Sequence, residues 1–230
     1  MRSAGRSNVL SQEYPIVSPA EVTSLGAAGP DGGTGVILGF PSTRPGAKRA
    51  FLMPADASLR PGTVLYAGST FGRRFTTGHN VVVREDVTIG DDVSVWSNTV
   101  IDYSCTIGDR VKIHCNCYVA QFTYIEDDAF LAPGVTIAND LFPWSEVSGK
   151  AMCGPWIGAG AQIGANVTLL PFVRIGKGAV IGAGSVVTRD VPAGLVAYGN
   201  PAVVGRRVDQ IDVEGRVREA IQRRERSGEG

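Results

Sequence analysis

The chain has 230 residues, with 22 basic and 22 acidic side chains and a formal net charge of zero. That length suits one large domain or two small ones, and the charge balance excludes a dedicated nucleic-acid or polybasic membrane partner. The opening stretch from Met1 to Asn8 is polar, which is not the pattern of a signal sequence, and no window approaches a membrane span.

Residues 1–50 are rich in Gly, Pro, Ser and Ala and read as an irregular entry segment. One apolar run within it, from Gly35 to Phe40, suits a strand. From Met53 onward every sixth residue is apolar: Leu59, Leu65, Phe71, Val83, Ile89, Val95, Ile101, Ile107, Ile113, Val119, Ile125, Leu131 and Ile137, with only Thr77 breaking the series. Four residues after the members from Thr77 to Leu131 sits a small or β-branched companion, among them Val81, Thr99, Cys105, Cys117 and Val135. A helix would recur at 3.6 residues and a simple strand at 2, so a sustained period of six marks a β-solenoid of hexapeptide repeats. Each hexad supplies one side and one corner of a triangular prism, with the aliphatic residue and its companion pointing inward. Left-handed backbone at the corners is the expected reason for sequences such as Gly90-Asp-Asp, Gly108-Asp-Arg and Gly176-Lys-Gly. Asn80, Asn98 and Asn116 are spaced by three hexads, one full coil, so they stack as a ladder on coils about 4.8 Å apart.

The repeat breaks after Ile137 and resumes at Ile157, a gap that reads as one coil of three hexads with two residues over. Residues 139–156 are therefore expected to leave the coil as a loop. Phe142, Trp144 and Trp156 on such a loop call for a neighbouring subunit or a ligand to pack against. The second stretch, Ile157, Ile163, Leu169, Ile175, Ile181 and Val187, brings the total to 21 hexads, or seven coils. After Pro192 the pattern dissolves. Val213, Val217, Ala220 and Ile221 then space as one amphipathic helix, expected to cap the open end. The organisation is thus an irregular segment at 1–50, a solenoid at 51–205 and a helical tail at 206–230. Of the four cysteines, Cys105 and Cys117 fall on inward positions, and no C-x-x-C pair exists, which fits a reducing cytoplasm.

The segments Thr77–Asp86, Val111–Tyr118, Ile125–Val135 and Ile181–Gly194 running on to Gly199-Asn-Pro-Ala carry a resemblance to the left-handed β-helix of the hexapeptide-repeat acyltransferases. The nearest likeness is the branch that N-acetylates nucleotide-linked amino sugars. The resemblance implies an all-β, left-handed parallel β-helix, a cytoplasmic homotrimer with sites between subunits, and acetyl-CoA as acyl donor with no metal required. It implies coenzyme contacts at Ala183, Thr188, Arg189 and Arg206, although Val203 stands where relatives often carry a basic residue.

Acyl transfer to an amine needs a neutral nitrogen, a nearby thioester, a proton acceptor and a donor for the oxyanion. Only two histidines exist. His114 follows the inward Ile113 and should face outward beside Asn116, while His79 sits two coils earlier, roughly 9–10 Å along the axis. His79 and Asn98, with Phe142 and Trp144 of the loop, are the expected substrate contacts. Many relatives carry their base in a loop motif ending His-Pro. Here Phe142 stands in place of that histidine, and the resemblance assigns the part to Asn139 and Asp140. The register places Asn139-Asp140 and His114 on different corners, so they meet only across a subunit boundary. The competing readings are an O-acetyltransferase acting on a hydroxyl and a non-catalytic β-helix binding module. A γ-class carbonic anhydrase needs three histidine ligands and the chain has two.

Overall fold

A computed structural model describes residues 35–226 apart from 52 and 55; positions 1–34 of the expected entry segment lie outside the described residues. Through the coils, short strands recur every six residues and fall in rotation on three parallel sheets. The first face stacks Ile37–Phe40, Val64–Tyr66, Val82–Val83, Val100–Ile101, Tyr118–Val119, Thr136–Ile137, Thr168–Leu169 and Val186–Val187. The second face runs from Thr70–Phe71 to Arg174–Ile175. The third runs from Thr76–Thr77 to Val180–Ile181 and ends on Leu195–Gly199 and Ala202–Arg207. Each strand lies over its counterpart one coil away: Lys112 pairs with Ser94 and Phe130, and Ile113 with Val95 and Leu131. The result is a left-handed parallel β-helix of about seven turns.

The six-residue period works because each two-residue strand has one outward and one inward side chain. Ile101, Ile113, Leu131, Ile163 and Leu169 have no exposed surface, and the companions Val81, Val93, Val111 and Val135 fill the space between them. Thr77, the one polar member of the first series, is satisfied inside: its Oγ1 lies 2.9 Å from that of Thr63 and accepts the Arg60 N–H. The Phe75 ring beside it is fully buried against Phe71.

Corner glycines have two different causes. The third corner residue is left-handed, as at Asn80, Asn98 and Asn116 (φ 57°, 60° and 60°), and Gly178 takes the same conformation. The glycine that opens a corner is not among the positive-φ residues. Gly72 is glycine because a Cβ there would lie 2.3 Å from the carbonyl carbon of Gly90 on the next coil. The expectation that left-handed geometry explains every corner glycine is therefore corrected.

The loop also differs from its expected measure. Thr136–Ile137 belongs to the first face and Trp156–Ile157 to the second, the next face in rotation. No coil is skipped, so the insertion amounts to two hexads and two residues rather than two residues alone. Trp156 lies in a strand, its ring stacked 4.1 Å from that of Tyr124. The excursion itself contains one short helix, Glu146–Lys150, whose N-cap Ser145 accepts the Ser148 N–H.

At the far end, the antiparallel pair Leu195–Gly199 and Ala202–Arg207 covers the last strand of the third face. The expected cap by the helix Val213–Arg226 is not formed, because Val213, Val217 and Ile221 are each more than half exposed. Among the described residues, no helix is long and apolar enough to cross a membrane.

At the near end, Ile37–Phe40 extends the first face, and the chain after it crosses the corner between the first and second faces. Arg44 reaches the buried Glu85 at 3.1 Å, pairs with Asp86, and lies over the Tyr103 ring. Burial opposes ionisation of Glu85, but hydrogen bonds from Arg84, its own backbone, Ser42 and Arg44 prevail and hold its carboxyl down to about 2, against an ordinary 4.5. A depressed folded pKa stabilises above the unfolded value and loses that contribution as pH falls through the folded one. Thermal stability is expected to drop between about pH 4.5 and 2. Glu85→Gln should flatten that drop in a pH series of melting curves, while lowering stability at neutral pH.

Candidate active site

The sequence-derived candidates separate onto two edges of the prism. The corner after the third face carries His79, Asn98, His114, Asn116 and Ala183. The corner after the first face carries Asn139, Asp140, Thr188 and Arg189. Phe142 and Trp144 stand on the loop that leaves the second of these corners, and Arg206 lies on the closing strand pair.

On the third-face corner, His114 is half-buried and its ring stacks on Trp96 at 4.2 Å, with Phe130 tilted against it at 5.0 Å. These contacts arise because positions 96 and 114 are one coil apart on the outer surface. They fix the plane of the imidazole and leave it without a carboxylate partner among the described residues. Asn116 is exposed in its left-handed corner position, and its backbone N–H donates to Ser97. His79 lines a 340 Å³ cleft with Arg60, Thr76, Ser94 and Trp96. Asn98 holds Asn80 through an amide contact of 3.2 Å, so one rung of the expected ladder is present. Phe130 also lines a 630 Å³ cleft with Arg110, Lys112 and Gln162.

On the first-face corner, Asp140 roots the loop. Its Oδ1 accepts the Phe142 N–H at 3.0 Å and the Ser148 hydroxyl, which leaves Oδ2 without a partner among the described residues. Asn139 donates through Nδ2 to Gln121 Oε1 at 2.7 Å. Phe142 is 69% exposed and Trp144 fully so, so neither packs on its own coil. Arg189 stands in the same column as Asn139, with Pro171 between them. Arg189 and Arg206 are exposed and form no ion pair among the described residues.

The sequence reading missed the neighbours of Asn139. Asp102, 6% exposed, accepts the Tyr118 hydroxyl at 2.9 Å, the Gln121 amide at 2.6 Å and the Tyr103 N–H at 2.8 Å. The Arg84 guanidinium lies 3.6 Å away. Burial, and then the bond to Asp102, push the Tyr118 hydroxyl up to about 12, so it remains a donor. Gln121 was within reach of sequence reasoning, because it stands one full coil before Asn139 at the same register position. Asp102 and Tyr118 share no register position, so that ruler misses them. Phe122 and Phe172, exposed and left-handed at φ 62° and 66°, occupy the corners of the coils on either side of the loop root. No group of three or more His, Cys, Asp or Glu side chains able to hold a metal occurs among the described residues.

Comparison with known proteins agrees with this architecture. The bacterial transferase hexapeptide model (six repeats) matches residues 104–139 and 154–189, and the hexapeptide repeat of succinyl-transferase matches residues 86–121. Galactoside O-acetyltransferase of Lactococcus lactis is 54% identical over 50 residues, covering 22% of this chain and 24% of that enzyme. The matched stretch thus spans about a quarter of that curated relative. LpxA of Bacteroides fragilis, a UDP-N-acetylglucosamine acyltransferase, superposes with a TM-score of 0.56 at 18% identity, over 66% of this chain and 61% of that one. LpxA of Acinetobacter baumannii does so at 0.50 and 19% identity, over 78% and 75%. Both structural likenesses show the fold.

Proposed function

We propose that this chain, built from the hexapeptide repeats of the bacterial transferases, is an acyl-CoA-dependent N-acyltransferase acting on the amino group of a nucleotide-linked amino sugar. The observation that carries the reading is the loop root. Where the chain leaves the coil it presents Asn139 and Asp140 with no histidine, so the loop root offers an amide and a carboxylate suited to holding an amine rather than a histidine base of its own for activating a hydroxyl.

The working unit is a homotrimer. Each site draws His114 and Asn116 from one chain and Asn139 and Asp140 from its neighbour, because these pairs occupy different edges. The amine nitrogen attacks the thioester carbonyl, the C–N bond forms, and the C–S bond breaks to release the coenzyme thiolate. The proton lost from nitrogen passes to His114 or to the free Oδ2 of Asp140. Asn116 supplies a donor for the developing oxyanion. Arg189 and Arg206, both exposed, meet the coenzyme phosphates, with Thr188 and Ala183 along its path. His79, Asn98, Phe142 and Trp144 line the approach of the acceptor.

A second reading, O-acetylation of a sugar hydroxyl, is favoured by the identity to galactoside O-acetyltransferase over 50 residues. The two are separated by thiol release from acetyl-CoA, assayed against nucleotide-linked 3-amino and 4-amino sugars and against galactosides. Release with an amino sugar and none with a galactoside is expected. Release only with a hydroxyl acceptor overturns the proposal in favour of O-transfer, and no release with any acceptor favours a binding module.

A further inference from the structure

We propose that Asp102 and Gln121 are positioning residues that orient the Asn139 amide, fixing its carbonyl oxygen as the acceptor for an N–H of the amine substrate. The inference rests on the N-acyltransferase reading and adds to it how the acceptor is recognised. It begins from a difficulty common to all amides: the oxygen and nitrogen of Asn and Gln have nearly the same shape, so only their partners decide which way they point. Here the partners form a chain with one defined end.

Asp102 sits at that end. A carboxylate only accepts, and every neighbour of Asp102 donates: the Tyr103 N–H to Oδ1, and the Tyr118 hydroxyl and the Gln121 amide to Oδ2. Gln121 must therefore turn its NH2 toward Asp102 and its oxygen away. That oxygen can be satisfied only by a donor, so Asn139 must turn its NH2 toward Gln121, at 2.7 Å. Met152 Sδ, 3.7 Å from the same Nδ2, is a weak acceptor and agrees with that orientation. What remains of the Asn139 side chain is Oδ1. It has no partner among the described residues and is not among the fully buried polar atoms, so it reaches the surface. Asp140, with its unpartnered Oδ2, is the next residue.

The buried Asp102 carboxylate, two amides away, thus sets the polarity of a half-buried group whose oxygen reaches the surface. An amine entering this corner finds acceptor oxygens on two successive residues. One N–H directed at Asn139 Oδ1 holds the nitrogen while its lone pair turns toward the thioester. Glu at position 121 would present oxygen to oxygen at Asp102 and break the chain. Asn at 102 would let the whole chain reverse, turning Asn139 NH2 outward, where it meets an amine donor to donor.

The test uses the full-length protein and the variants Asp102→Asn, Gln121→Leu and the double. Each single variant is expected to lower kcat for the amino-sugar acceptor by about 10- to 100-fold, the size of effect that a displaced reacting group produces. KM for acetyl-CoA should stay within about twofold, because Thr188 and Arg189 lie on the same edge but three or more coils from the substituted positions. The double variant should match the singles, since both cut the same chain. An independent readout needs no activity: in the substrate-free protein, NMR of side-chain amides should show the Asn139 NH2 protons protected from exchange in the wild type and released in both variants. Additive losses, or Asn139 protons unchanged in Asp102→Asn, overturn the relay. If no amine is acylated by the wild-type protein, the functional reading fails, and the amide protons alone then decide whether the relay exists.

Discussion

Mixing His114→Ala subunits with Asp140→Ala subunits is expected to restore about a quarter of the wild-type turnover per site, although each variant alone is depressed by about 100-fold or more. The quarter follows from counting. A shared site is intact when its His114 comes from an Asp140→Ala chain and its Asp140 from a His114→Ala chain. In a random equal mixture each condition holds half the time, and one half of one half is one quarter. The structural premise is that Lys112–Ile113 lies on the third face and Thr136–Ile137 on the first, so the two side chains leave one coil stack at different edges. The measurement is acyl transfer after unfolding and refolding the variants together, against each refolded alone. Turnover no higher than that of the separate variants would falsify shared sites and place each site within one chain.

Gly72→Ala is expected to destabilise the fold by about 1–3 kcal/mol, the usual cost of forcing atoms into a filled space. The added Cβ would lie 2.3 Å from the carbonyl carbon of Gly90 and 2.6 Å from the Asp91 nitrogen, both backbone atoms of the next coil. A side chain could swing aside there, but a paired backbone cannot move without breaking its own hydrogen bonds, among them Gly72 N–H to Ile89 at 2.9 Å. In melting curves the change reads as a fall of about 2–12 °C for a chain of this size. Gly178→Asn is the matched control. Its φ of 63° is that of Asn80, Asn98 and Asn116, and a Cβ there meets nothing within 4 Å. Asparagine tolerates this conformation, so the melting temperature should move by about 1 °C or less. Equal losses in the two variants would show that close approach of the coils is not what requires glycine at position 72.

The contrast between these glycines marks how far the sequence could be read. A six-residue period locates corners, and both kinds of glycine stand at corners. Which one is squeezed against the neighbouring coil depends on the direction of a Cβ, and no spacing contains that direction. The loop shows the same boundary. The period located its start at Asn139, but the stretch between Ile137 and Ile157 could be counted as one coil with a small excess or as one hexad with a large one. Only the pairing of Trp156–Ile157 with Tyr124–Ile125 on the second face selects the latter. The terminal helix was legible as a helix from Val213, Val217 and Ile221. That it leaves those side chains exposed, while the Leu195–Gly199 and Ala202–Arg207 pair closes the third face, follows from strand pairing that an irregular, proline-containing stretch does not announce.

The sequence by itself determined the class of fold, because a repeat of inward aliphatic residues at every sixth place has one stable solution: three faces, stacked coils and a core shared between them. It also determined that His114 and Asn139 stand on different edges, since Ile137 lies four hexads beyond Ile113 and three hexads make a coil. The tertiary structure alone decided what surrounds Asn139. Asp102 and Tyr118 meet because outward side chains at one corner lean across the stack, a matter of rotamer and reach rather than of period. A period constrains the backbone and the direction of inward side chains, which packing forces to repeat. Outward side chains are free of that constraint, and the chemistry of the corner is written in them.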